Sequence, residues 1–489
     1  VLFLLGIYLL FLLFIFAYSM VQFALVINYV RARKGQNSPQ VEQPSTWPMV
    51  TVQLPVYNER YVVERLIDAA AALDYPSVRL QIQVVDDSTD DSVQLAAARI
   101  AFHRGRGISI EHVRRSNRQG YKAGALAEAN GSASGSYVAI FDADFLPGTD
   151  FLKKTIPHFL TDERLAVVQT KWTHLNEDSG LLTRLQAFAL DAHFTVEQVG
   201  RNAGGHFINF NGTAGVWRRA AIDDSGGWQS DTLTEDLDLS YRAQLRGWRF
   251  RYLPAVGTPA ELPADMNALK NQQFRWTKGA AECAVKNLPS VLKSGTLNLS
   301  TKVFALFHLM NSFVFVAILV TALLSIPVLC FKPHLPQWAG AFQWAGLFFL
   351  SFVVLTVFYW TSLDSGLKGG RRLLHFVSRF PLFLSVSMGL SLYNAWAVIE
   401  GYSGIKTPFV RTPKFALGPG RHAGSGAAYK AKRVAPITLF EGLLTLYFAC
   451  GIPLAIHLND YGLFPLHVML TFGFGCVFFY SIRHAKFTS

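Results

Sequence analysis

The chain has 489 residues, 51% of them hydrophobic and only 16% charged, with a formal net charge of +12. It is too apolar for an ordinary soluble enzyme. Much of the basic excess flanks hydrophobic segments, where it marks the cytoplasmic edge of a membrane protein rather than a nucleic-acid surface, and no zinc-finger or basic-zipper module accompanies it. The four cysteines, Cys283, Cys330, Cys450 and Cys476, lack metal-ligand spacing and imply neither a disulfide framework nor zinc.

Residues 1–30 predict a first transmembrane helix, too long for a signal-peptide core and read as a retained anchor. Arg31, Arg33 and Lys34 follow at once, which places this end inside and the N-terminus outside. A polar linker over 31–48 leads into a soluble-type region over 49–262. There the β-rich runs MVTVQL (49–54), LQIQVV (80–85), ISIEHV (108–113) and YVAIF (137–141) alternate with helical patterns near 59–73, 92–102 and 121–130. Alternation of this kind predicts a parallel α/β sheet whose ligands gather at the C-terminal ends of the strands.

Residues 263–298 read as helices lying along the membrane surface. Apolar runs at 303–330 and 338–363 predict transmembrane helices 2 and 3 within 299–363. Runs at 436–457 and 461–482 predict helices 4 and 5 within 434–489. The segment 364–400 is apolar enough over 372–400 for a sixth span. The loop that follows, 401–433, argues against one: it carries Lys406, Arg411, Lys414, Arg421, Lys430, Lys432 and Arg433 and no acid, and a sixth span would put all of them outside. An interfacial or re-entrant helix keeps them inside and suits Arg379 and Pro381 better.

Acidic clusters punctuate the soluble region at predicted strand ends. Asp86 and Asp87 lie in VVDDSTDDS, Asp142 and Asp144 in FDADF, and Glu59 in QLPVYNER; TEDLDLS at 234–240 opens a helix. A strand-end Asp is commonly just a turn former or helix cap. Several of them converging on one crevice suit a sugar nucleotide, whose diphosphate leaving group must be neutralised. Mg²⁺ or Mn²⁺ on Asp142 and Asp144 would do this, with Lys122 as a further positive charge. Asp236, beside Glu235, is the candidate base for the attacking hydroxyl. In NQQFRWTKG, Trp276 reads either as an interface anchor or as a stacking face for an acceptor sugar, with Gln272 and Arg275 bonding around it.

The order QLPVYNE, DDSTD, YKAGAL, FDADF, FNGTAGVW, TEDLDL and QQFRW resembles the processive family 2 glycosyltransferases, over about residues 50–415. The similarity points to the cellulose-synthase-like branch of mannan, glucomannan and β-glucan synthases, with DAHFTVEQ at 191–198 a further match. The resemblance implies a GT-A (Rossmann-like) cytoplasmic domain joined to an α-helical transmembrane region. It also implies an inverting, processive transfer that lengthens a β-linked, β-1,4 hexose polymer and moves it across the membrane. Carried over, Tyr57, Glu59, Asp86 and Asp87 line the nucleoside pocket, and Asp142 and Asp144 hold the metal diphosphate. Asn211, Gly212 and Thr234 are further substrate contacts. Asp236 is the base, and Gln272, Arg275 and Trp276 hold the acceptor end. FVRTPK at 409–414 resembles the family's gating loop through Phe409, Thr412 and Lys414, although Arg411 stands where Val is usual. No cyclic-nucleotide regulatory module is expected.

The implied partners are a nucleotide sugar, a growing polysaccharide and a lipid bilayer, with no nucleic acid. The implied setting is a plasma or Golgi membrane. The donor stays open between UDP-glucose and GDP-mannose, with a lean to UDP-glucose. Two rivals remain: a transferase adding one sugar to a lipid, and a channel or transporter whose soluble domain senses nucleotide sugars.

Overall fold

The computed structural model describes residues 1–34, 41–338, 340, 346–363, 368–408, 410–412, 414–416 and 435–486. Seven strands make one sheet in the order β3-β2-β1-β4-β6-β5-β7. They are β1 Val50–Val56, β2 Leu80–Asp86, β3 Ile110–Arg114, β4 Tyr137–Ile140, β5 Leu165–His174, β6 Gly215–Arg218 and β7 Arg249–Ala260. β1 to β4 pair in parallel, and the helices Val63–Ala71, Ser92–Arg104 and Tyr121–Ser132 connect them. β2 is buried along its whole length, as expected where helices cover both faces of a sheet. Its polar residues are matched across the sheet: Thr51 Oγ1 donates to Gln81 Oε1 at 2.8 Å, and Gln53 Nε2 to Gln83 Oε1 at 3.0 Å. A slip of one residue would strand these buried amides, so the ladder specifies register.

The expectation of a purely parallel sheet holds for this half only. β6 runs antiparallel to both β4 and β5, so the sheet is mixed. The chain reverses through the FNGTAG turn, where Gly212 and Ala214 have φ of +79° and +53°. Four residues of strand are too few for a periodicity to be read.

Among the described residues, the helices Leu2–Lys34, Phe313–His334, Ile437–His457 and Phe464–Ala485 are each long and apolar enough to cross a membrane. The predicted span at 338–363 is helical over Phe349–Ser362, whose 14 residues extend about 21 Å, short of a bilayer core of about 30 Å. Gly369–Gly389 and Ser391–Tyr402 form a pair bent by 49°, apolar enough to cross only if taken together. Gly389 and Gly473 meet backbone to backbone, the close approach that small residues permit between membrane helices. Val26 and Tyr29, near the basic end of the first helix, pack into the sheet domain's core with Val199, Ile208 and the fully buried Trp217. The amphipathic Met266–Lys293 helix, capped by Asp265 Oδ1 accepting from Ala268 N at 2.8 Å, runs between the sheet domain and the membrane helices.

Candidate active site

The ends of β1 and β4, the turn before β6 and the start of the Glu235–Leu245 helix open on one cavity. It is lined by Tyr57, Glu59, Asp87, Lys122, Asp142, Asp144, Asn211, Gly212, Thr234, Glu235 and Asp236. The Met266–Lys293 helix adds Gln272, Arg275 and Trp276, and the segment after Tyr402 adds Arg411, Thr412 and Lys414. Residues up to 357 positions apart in sequence thus share one wall, as the sequence reading required. One predicted member stands apart. Asp86 is fully buried behind the wall, its carboxylate taken up by Ser88 N and His112 Nε2, each at 2.8 Å. Burial raises the pKa of this group, yet those two partners hold it below the usual carboxylate range. Phe409 lies outside the described residues.

Lysines hold the two carboxylates of FDADF. Lys122 Nζ donates to Asp142 Oδ1 at 2.6 Å and to the Gly212 carbonyl at 2.8 Å. Lys414 Nζ donates to Asp144 Oδ2 at 2.8 Å. Asp142 N is fixed by Thr213 Oγ1 at 2.9 Å. No group of three or more His, Cys, Asp or Glu side chains gathers for a metal among the described residues. A pair of hard carboxylates one residue apart nonetheless fits a divalent cation whose remaining ligands come from substrate phosphate, the usual arrangement for Mg²⁺.

Asp236 sits at the first turn of its helix, its Oδ1 accepting from Leu237 N at 2.8 Å. Burial, with Glu235 beside it, pushes its carboxyl up to about 7. Burial raises Glu235 as well. Gly212 is required here: a Cβ on it would sit 2.8 Å from Asp236 Oδ2, at a φ that L-residues avoid. Gly279 lets the Met266–Lys293 helix lie against Thr234, since a Cβ there would be 2.5 Å from Thr234 Cγ2. Asn211 Nδ2 is buried and has no hydrogen-bond partner among the described residues.

The segment over the cavity is tied down at several points. Arg275 Nη2 donates to Thr412 Oγ1 at 3.0 Å, and Arg411 Nη1 to the Tyr57 carbonyl at 3.2 Å and lies 3.4 Å from Glu59. Burial drives Glu59 up to about 8 against the pull of Arg411. Burial lowers Arg275 to about 10, so it stays cationic.

Three lining residues escaped the sequence reading. Arg118 stacks on Tyr57, its guanidinium carbon 3.3 Å from the ring centroid, and covers one face of that ring. Its only signal was its place just before YKAGAL. Trp172 lies with its ring 6.4 Å from that of Trp276 and comes from β5, a strand the sequence reading had not recognised. Glu261 accepts from Phe415 N at 2.8 Å under the covering segment. Beyond Trp276 lies a second, mostly apolar cavity. It shares Leu190, Gln272 and Trp276 with the first and reaches Phe315, Phe383 and Asn394 among the membrane-side helices.

A protein-family profile described as "Glycosyltransferase like family 2" matches residues 48–279. Glucomannan 4-beta-mannosyltransferase 2 of Arabidopsis thaliana is 35% identical over 427 residues, 83% of this chain and 76% of the relative. Glucomannan 4-beta-mannosyltransferase 9 of the same plant is 40% identical over 315 residues, 61% of this chain, and the match spans 58% of that relative's length. Among solved structures, the mannosyltransferase PcManGT from Pyrobaculum calidifontis, in complex with GDP-Man and Mn²⁺, superposes with a TM-score of 0.51 at 19% identity. It covers 80% of this chain and 100% of that one, a likeness of fold.

Proposed function

We propose that this chain, which belongs to glycosyltransferase family 2 in its cellulose-synthase-like branch, transfers a hexose from a nucleotide sugar to the end of a β-1,4-linked glycan and passes that glycan into the membrane. The carrying observation is the meeting of Asp142, Asp144, Asp236 and Trp276 around one cavity that shares the walls Leu190, Gln272 and Trp276 with a second among the membrane-side helices. The donor we favour is GDP-mannose rather than the UDP-glucose to which the sequence leaned. The names of both plant relatives support this choice.

In this reading the nucleobase lies beside the stacked pair of Tyr57 and Arg118, with Glu59 and Asp87 near it. Asp142 and Asp144 would hold a Mg²⁺ or Mn²⁺ ion, which would neutralise charge on the diphosphate. Lys122 and Lys414, beside those carboxylates, are the cations placed to meet phosphate oxygens. Gln272, Arg275 and Trp276 hold the acceptor sugar with its free hydroxyl towards Asp236. That carboxylate takes the hydroxyl proton, the oxygen bonds to the anomeric carbon from the opposite face, and the bond to the diphosphate breaks with its electron pair leaving on phosphate. One displacement inverts the centre without a covalent intermediate. Asn211, Gly212 and Thr234 shape the sugar's bed, and Thr412 covers it.

We place the sheet domain on the cytoplasmic face of a Golgi or plasma membrane, at the end where Arg31, Arg33 and Lys34 leave the first span. The middle of the first helix of the bent 369–402 pair and the segment just after the second both meet the sheet domain. Arg379 Nη1 reaches Glu177 Oε1 at 2.7 Å, and Lys406 Nζ reaches the Asp231 carbonyl at 2.7 Å. These contacts support an interfacial or re-entrant pair rather than a sixth span.

A second reading, one sugar added to a lipid, draws on the apolar walls of the second cavity, among them Leu182, Leu185 and Phe383. Purified protein supplied with radiolabelled GDP-mannose or UDP-glucose and Mn²⁺ separates the readings. A long product cut by β-mannanase supports ours, a single-sugar lipid supports the second, and no nucleotide release from any donor would sink both.

A further inference from the structure

The Met266–Lys293 helix carries two buried lysines beside Gln272, Arg275 and Trp276. Lys270 Nζ lies 2.7 Å from Glu441 Oε1 of the Ile437–His457 helix, with side chains 4% and 0% exposed. Lys278 Nζ, fully buried, lies 2.9 Å from Glu400 Oε2 at the end of the bent pair and donates to Thr407 Oγ1 at 2.8 Å. One pair stands just before the acceptor-facing side chains and the other just after them, about 12 Å apart along the axis. Neither lysine lines the cavity. Glu441 is the one acid in an otherwise apolar helix, an expensive residue at such a place.

Buried ion pairs are weak stabilisers, and an apolar pair of equal volume generally does as well. What an apolar contact lacks is register. A helix sliding or turning on an oily neighbour loses little, whereas here either motion strands a buried charge. A turn by one residue, about 100°, would swing Trp276 off the cavity mouth.

We propose that the Lys270–Glu441 and Lys278–Glu400 pairs clamp the register of this helix. In this role the four are positioning residues that keep Gln272, Arg275 and Trp276 aligned between the two cavities, so the glycan end is retained from one addition to the next. The inference rests on the acceptor reading of those three side chains.

The test uses the full chain in lipid nanodiscs with GDP-mannose and Mn²⁺, following GDP release, product length and thermal melting. The variants are Lys270→Met/Glu441→Leu, Lys278→Met/Glu400→Leu and the exchanged Lys270→Glu/Glu441→Lys. Expected for a folded apolar pair is near-normal GDP release and melting, with chains shortened roughly tenfold at equal GDP release, since small misplacements of bound groups cost that much or more. The exchanged pair should restore chain length. Full-length product from an apolar pair, or short product from a normally melting exchanged pair, overturns the proposal. So does failure of both apolar pairs to fold, which would mark the lysines as supports alone. If the unaltered protein itself makes no polymer, the acceptor reading has failed instead.

Discussion

Asp236 combines two environments that a carboxylate rarely shares: it is half-buried in the cavity wall, and Glu235 adjoins it. Its pKa of about 7 suits a base working near neutral pH. Asp236→Asn should therefore lower transfer by about 10²–10⁴-fold while leaving GDP affinity, read by calorimetry, largely intact. The turnover of the unaltered enzyme should rise with pH through about 7 as this carboxyl sheds its proton. The same shift bears on stability. Between the ordinary value of 3.8 and about 7 the folded protein holds a proton that the unfolded chain has released, so stability falls as pH climbs through that window. Asp236→Asn removes the penalty. Its melting temperature should gain on the unaltered protein from pH 5 to pH 8, and a narrowing gap would contradict the burial assigned here. Gly212→Ala probes the same carboxylate without touching it: the added methyl must displace Asp236 Oδ2, so turnover should drop while nucleotide affinity changes little.

At the level of elements, β4 is an unbroken apolar run, the pattern of a strand covered on both faces, whereas β1 and β2 alternate apolar residues with the polar Thr51, Gln53, Gln81 and Gln83, which are buried because they pair with one another. β7 was illegible because it contains Pro254 and Pro259, and its pairing with β5 shifts register between Thr170 and Lys171. Prolines are tolerated there because β7 is the edge of the sheet. Missing β5 cost the sequence reading Trp172. The covering segment was legible through Thr412 and Lys414, while Arg411, noted only as a departure from the family pattern, makes the contacts with Tyr57 and Glu59. Lys414→Ala should raise the donor KM more than it lowers kcat, by steady-state kinetics at saturating acceptor. An equal loss in both would place Lys414 outside the donor site. Asp265→Ala removes the cap of the Met266–Lys293 helix and should cost about 1 kcal/mol of stability, measured by denaturant unfolding of the detergent-solubilised chain.

For the whole molecule, the sharpest expectation concerns sidedness. With the native cysteines replaced, thiols introduced at two exposed serines, Ser77 in the sheet domain and Ser403 after the bent pair, should react with a membrane-impermeant reagent from the same side of sealed vesicles. Labelling from opposite sides would make 369–402 a true crossing and leave the basic loop away from the catalytic cavity. Hydropathy alone left this segment open, and it also suggested a crossing at 338–363, where the described helix Phe349–Ser362 is short.

What the sequence determined by itself was chemistry and local form: which carboxylates end strands, where a base can open a helix, which runs are apolar enough for lipid. These are properties of neighbouring residues, set by periodicity, side-chain type and charge. Only the tertiary structure decided that Asp86 turns inward to His112 while Asp87 stays at the cavity, that lysines from distant segments hold Asp142 and Asp144, and that β6 reverses the sheet. Those outcomes depend on which groups meet after the chain has closed on itself, and on how burial then shifts each charge.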